Sequence, residues 1–163
     1  MIMPAESLDC EGVVDVGLLV VAHFPNPAQE EALQFLRKVL LREIRAVIPL
    51  SAFLGAYHIM TRYLNIQPPD VISELSHTLS VSPAALYEHI RQEDVIQALL
   101  YAASWKIQSW DGFVLALAAR LGTRTVFSID RELHRRAPDF TVVCPLKEET
   151  LQAYHQFLKT VEK

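Results

Sequence analysis

Residues 111–130 read Asp111-Gly112-Phe113-Val114-Leu115-Ala116-Leu117-Ala118-Ala119-Arg120-Leu121-Gly122-Thr123-Arg124-Thr125-Val126-Phe127-Ser128-Ile129-Asp130. The first half is an apolar helical stretch running to Leu121, and Gly122 is a natural helix stop. The second half, Thr125 to Ile129, is β-branched and aromatic, as strands are, and it ends on a carboxylate. A helix that hands over to a buried strand is the repeating half of an α/β fold. Working outward, the same alternation recurs. Val13-Val14-Asp15 is a short buried strand, and 18–21 reads as more of the same apolar chain after a turn at Gly17. Pro25-Asn26-Pro27 breaks that run, and Gln29 to Leu41 carries an apolar stripe at helical spacing. Ala46-Val47-Ile48 is a second strand, closed by Pro49. Ser51 is placed to cap a helix reaching about Leu64. Further helices are expected from Pro68, from Ser82-Pro83 through Leu86 and Ile90, and from Asp94 to about Lys106. Phe140 to Val143 reads as a fourth strand and 148–161 as an amphipathic C-terminal helix. Strands alternating with helices imply βαβ units and a mainly parallel sheet, whose working site lies beyond the carboxyl ends of the strands.

Asp15, Asp111 and Asp130 each stand where an apolar strand or helix meets a turn. A carboxylate at such a place is costly unless it is paired, hydrogen-bonded or holding a cation. Taken singly, each has an ordinary explanation: a turn former at Asp15, a helix N-cap at Asp111, and a cap at Asp130 for the helix 131–136. Taken together at one sheet edge, they suggest a shared acidic pocket. Hard cations such as Mg²⁺ or Mn²⁺ take oxygen ligands, and such an ion can activate water and neutralise charge on a phosphodiester. Without an ion, clustered carboxylates repel and at least one pKa should rise.

Composition narrows the class. The chain has 163 residues, enough for one domain with a sizeable core, and no segment resembles a linker. Half the residues are hydrophobic and only five are glycine, which argues for a packed domain. Cys10 and Cys144 make neither a disulfide framework nor a metal-ligand spacing, so the expectation is a reducing cytosol. The apolar run from Val13 to Phe24 is too short to span a bilayer. Glu6, Asp9 and Glu11 precede it, the opposite of the basic start of a secretory signal. A net charge of −4 exerts no global pull toward nucleic acid.

Val13-Val14-Asp15, the stretch from Ser109 to Ala119, and Val126-Phe127-Ser128-Ile129-Asp130 together resemble the three acidic blocks of PIN-domain proteins, including VapC-type toxins. The resemblance covers roughly residues 12–145. It implies a three-layer α/β/α sandwich of flavodoxin-like type, formed as one domain over 1–163. It also implies a cytoplasmic, single-strand-preferring ribonuclease with Mg²⁺ or Mn²⁺ held by Asp15, Asp111 and Asp130. Ser128 matches the Ser or Thr that supports the acid cluster two residues before the last Asp. Homodimerisation and restraint by a small antitoxin are the partners it implies. Two departures stand out. Family members usually carry a glutamate early in the helix after the second strand, but Leu50 to Ala56 contains no acid, and Gly55 stands in the glutamate's place. Gly17 stands two residues after Asp15, where Asn or Ser is common. The alternative reading is therefore a PIN-like domain that has lost catalysis and serves as an RNA- or protein-binding module.

Other features are less specific. Arg131 and Arg135, with His134 and Arg136, follow Asp130 and are candidates for RNA phosphate contacts, or simply a solvated basic face. Trp110 is a candidate for base stacking, with core or dimer packing as the commoner use. His58, one turn beyond Gly55, is a candidate to face the same acidic pocket, with an ordinary helix histidine as the commoner reading. The chain has no GxSxG, GxxxxGK or GxGxxG motif, so triad-hydrolase, P-loop and dinucleotide readings lack their signatures. A phosphoryl-transfer or receiver-type domain also gathers strand-end aspartates. Asp15-Val16-Gly17 lacks the second aspartate of dehalogenase-like phosphatases, and no strand-end lysine serves a receiver.

Overall fold

A computed structural model describes residues 10–81 and 83–161. Glu6 and Asp9, and the Ser82 cap, lie outside the described residues. Five strands, β1 (Gly12–Val14), β2 (Ala46–Pro49), β3 (Leu86–Tyr87), β4 (Thr125–Phe127) and β5 (Thr141–Val143), form one sheet in the order β3-β2-β1-β4-β5. Every pairing is parallel. Eight helices among the described residues flank it: α1 (Val16–Ala22), α2 (Gln29–Leu40), α3 (Leu50–Arg62), α4 (Pro68–Val81), α5 (Gln92–Trp105), α6 (Ser109–Arg120), α7 (Arg131–Arg136) and α8 (Glu148–Val161). The architecture is a three-layer α/β/α sandwich.

Strand alternation sorts the core into two layers. Val14, Ala46, Ile48 and Phe127 turn toward a cluster built with α1, α2, α3, α4 and α8. Val13, Val47 and Val126 turn the other way, onto Phe113, Val114 and Leu117 of α6 and Leu133 of α7. α5 packs closely on α6. A Cβ on Gly112 would stand 2.3 Å from the Ala98 carbonyl oxygen, so only glycine permits this approach.

The structure departs from the sequence expectations in several places. Residues 18–21 are helix, not strand. The Asp15 side chain accepts the Val16 N–H and starts α1 directly, and that helix is buried on nearly every side. A short apolar run buried all round has no period by which helix and strand can be told apart. Ser51 is not a cap: α3 begins at Leu50, with Pro49 in the capping position and no side-chain bond. The helix expected from Ser82-Pro83 through Ile90 is a 3₁₀ turn at Pro83–Ala85 followed by β3, which pairs with the edge of β2 through Ile48 and Leu86. A two-residue strand carries no internal pattern, and only the neighbouring strand defines it. β4 ends at Phe127, earlier than expected; the Ser128 N–H still donates to the Val143 carbonyl at 3.0 Å while its side chain turns to Asp15.

Candidate active-site cleft

β1 sits at the centre of the sheet. The chain leaving it turns toward β2, and the chain leaving β4 turns toward β5 on the opposite side. This is the switch point at which open α/β sheets place their ligands. The carboxyl ends of β1 and β4 deliver Asp15 and Ser128 side by side, and the Asp15 N–H donates to the Phe127 carbonyl at 2.9 Å.

Asp15 is only 3 % exposed and is held at both oxygens. Oδ1 accepts the Val16 N–H at 2.8 Å, and Oδ2 accepts the Ser128 hydroxyl at 2.7 Å. Ser128 Oγ in turn accepts the Asp130 N–H at 3.0 Å, so one buried hydroxyl orders two of the three acids. Burial pushes the Asp15 carboxyl up, the nearby Asp130 charge adds to this, and the two hydrogen bonds oppose it. Asp130 is the N-cap of α7: its Oδ1 accepts the Glu132 and Leu133 N–H groups at 2.9 and 3.4 Å. The ordinary capping role expected of Asp130 thus holds, while leaving it beside the cleft, and Asp15, expected as a turn former, is a helix N-cap instead. Asp111 is no N-cap. It lies in the first turn of α6, two residues into a helix that starts at Ser109 behind Gln108. Burial, then the charges of Asp15 and Asp130, push its carboxyl from 3.8 to about 8, against a contact from the Gln108 backbone. The rise expected of clustered carboxylates is present.

All three aspartates line one cleft of about 490 Å³, within the range of small-molecule sites. Its walls add Gly17, Ile59, Gln108 and Trp110, and its charged rim adds Lys106, Glu132 and Arg136. The Arg136 Nη1 donates to the Lys106 carbonyl at 2.5 Å, and its Nε pairs with Glu132 at 3.3 Å. Arg131 and Arg135 do not line this cleft. They face an adjoining groove toward Cys144 and Leu146, where Arg131 pairs with Glu148, while Arg135 pairs with Glu132. Lys106 and Glu132 were not foreseen as site residues. Lys106 caps α5 in the left-handed region at φ 53°, which no residue pattern announces. Glu132, acidic in a first helical turn, reads from sequence as a partner of the helix dipole.

Gly55 is buried on α3 with its α-carbon facing Val16: a Cβ there would lie 3.2 and 3.3 Å from the two Val16 methyls. Apolar packing therefore fills the space where the resemblance implies a glutamate. His58 is exposed, does not line the cleft, and lies against Trp110 and Tyr63.

Among the described residues, no three His, Cys, Asp or Glu side chains gather into a group able to hold a metal ion. The donor set is nevertheless hard oxygen. Asp130 commits only Oδ1 to backbone N–H groups, and its charge raises the carboxyls of Asp15 and Asp111. Hard oxygen donors are the kind that Mg²⁺ takes, together with its own water. No helix among the described residues is long and apolar enough to cross a membrane. Set beside known proteins, the sequence matches no family model and no curated protein.

Proposed function

We propose that this protein is a Mg²⁺- or Mn²⁺-dependent endoribonuclease of the PIN type, acting in the cytoplasm as the toxin of a toxin–antitoxin pair. The observation that carries the reading is Asp111, driven up to about 8 by burial and by Asp15 and Asp130 in a cleft at the sheet's switch point. Strongly displaced carboxyls in a cleft are characteristic of working sites. Added positive charge would relieve their repulsion and restore the ionised forms.

A divalent cation, when bound, supplies Lewis acidity and screens the charge of a phosphodiester. Asp15, Asp111 and Asp130 would hold it, Asp15 being kept in place by the Ser128 hydroxyl. Lys106 and Arg136 on the cleft rim would steady the phosphate, and Arg131 and Arg135 would contact flanking phosphates by releasing their carboxylate partners. A homodimer is supported by α5, whose Val95, Ile96, Leu99 and Leu100 are 42–59 % exposed. A contiguous apolar helix face of this kind suits a partner surface.

The test is a metal-titrated cleavage assay on structured and unstructured RNA. Cleavage should require Mg²⁺ or Mn²⁺ and should vanish in Asp15→Asn. Metal-independent cleavage, or an unaffected variant, would reject the proposal. One observation favours a second reading, a binding module without turnover: Gly55 is packed against Val16 where the resemblance implies a fourth acid. Under that reading wild type binds RNA but cleaves none of it, and Gly55→Glu gains activity.

A further inference from the structure

We propose that Trp110, backed by His58 and extended by Tyr63, is a stacking platform for the unpaired base next to the reacting phosphate. This inference rests on the ribonuclease reading and deepens it. Trp110 precedes Asp111 on the first turn of α6, so the helix that carries one of the cleft's acids carries the indole too. The residue is half-buried and lines the cleft. The His58 ring lies 6.0 Å from Trp110, tilted 55°, and the Tyr63 ring 5.7 Å from His58, edge-on at 80°. His58 is exposed and Tyr63 is 56 % exposed, so a ring that lines the cleft is in contact with rings open to solvent.

Core packing accounts for part of Trp110, which rests against the cluster around α3. It does not account for His58 and Tyr63, whose rings continue the row on the surface. An aromatic row beside an acidic cleft with a cationic rim offers what a single strand presents: a base face for the rings and a backbone for Lys106 and Arg136. Paired bases keep their faces inside the duplex stack and offer none. The ligand class is thus a single-stranded oligoribonucleotide with at least one unstacked base at the cleft, and sequence preference through hydrogen bonds is not required.

The chain has two tryptophans, Trp105 and Trp110. Trp105 stacks on Tyr101 at 4.6 Å away from the cleft, so Trp105→Phe leaves Trp110 as sole reporter. In an Asp15→Asn background that halts cleavage, oligouridylate and a base-free ribose-phosphate oligomer of equal length are titrated in Mg²⁺. Oligouridylate should change the Trp110 emission. Trp110→Ala should weaken its binding about five- to a hundredfold, the equivalent of one stacked base, and leave the base-free oligomer unchanged. Should Trp110→Ala fail to fold, the emission change decides, supported by a several-fold loss in the exposed His58→Ala variant. Oligouridylate binding that leaves both emission and Trp110→Ala affinity unaltered would overturn the platform while sparing the ribonuclease reading. Absence of binding by either oligomer would overturn both.

Discussion

Removing the charge from Asp111 should make the protein more stable, in a pH-dependent way. In the unfolded chain this carboxyl ionises near 3.8, and in the fold near 8. Between those values the folded state holds a proton that the unfolded state has released, so stability falls as pH rises and the loss saturates above about 8. At pH 7, about three units above the unfolded value, 1.36 kcal/mol per unit sets a ceiling of roughly 4 kcal/mol. The cleft is open to water, and an effective dielectric near 20 weakens the repulsion, so about 2 kcal/mol is the expected gain for Asp111→Asn. For a domain of this size that is a rise in Tm of roughly 4–8 °C. Thermal unfolding followed by circular dichroism between about pH 4 and pH 8.5, in chelator, measures it. The stability of wild type relative to Asp111→Asn should fall across that interval, and the two should converge at the acid end. A variant destabilised equally at every pH, or a wild type whose stability rises from pH 5 to pH 8 in step with the variant, would refute the reasoning. It would mean that Asp111 is stabilised as an anion by its surroundings.

Other consequences follow from the same geometry. Ser128→Ala removes the hydroxyl bound to Asp15 Oδ2 and Asp130 N–H. It should cost about 1–3 kcal/mol by urea denaturation and lower any cleavage rate. Gly112→Ala drives a methyl into the Ala98 carbonyl. The resulting overpacking of α5 on α6 should cost about 1–3 kcal/mol or more. Arg120→Ala strips Asp94, 3 % exposed and held at both oxygens at 2.9 Å, of its cation. The orphaned buried charge should cost about 3–5 kcal/mol, and Asp94→Asn in the same chain should recover part of it. His23 is buried between Leu19 O and Thr78 Oγ1, and burial depresses its pKa below the usual value. The unfolded chain therefore takes up this proton first, so stability should fall as pH drops through about 6.5 and His23→Gln should blunt that fall.

The βαβ plan was legible because its evidence is local. Gly122 follows the end of α6 and stands three residues before β4, and Pro49 ends β2, and neither position needs knowledge of the rest of the fold. The convergence of Asp15, Asp111 and Asp130 on one cleft was legible too, since parallel topology brings strand ends to one rim. What could not be read depends on neighbours. Residues 18–21 are helical because Asp15 supplies the first cap and α2 and α3 wrap the segment. β3 exists because β2 has an edge to offer. Lys106 and Arg136 reach the rim through a left-handed cap and a carbonyl contact, whereas Arg131 and Arg135, nearer to Asp130 in sequence, are drawn to Glu148 and Glu132. The apolar seal of Val16 over Gly55 likewise arises from two helices meeting, and no spacing in either helix signals it.

The most direct test of the central claim, that Asp15, Asp111 and Asp130 act as one cation-binding unit, is a calorimetric Mn²⁺ titration of wild type and of Asp15→Asn, Asp111→Asn and Asp130→Asn. The account predicts a single saturable site in wild type that weakens at least tenfold in each variant, with protons released from Asp111 as Mn²⁺ binds near pH 7. Binding that is undiminished by all three substitutions, or no saturable binding by wild type up to tens of millimolar Mn²⁺, would contradict it.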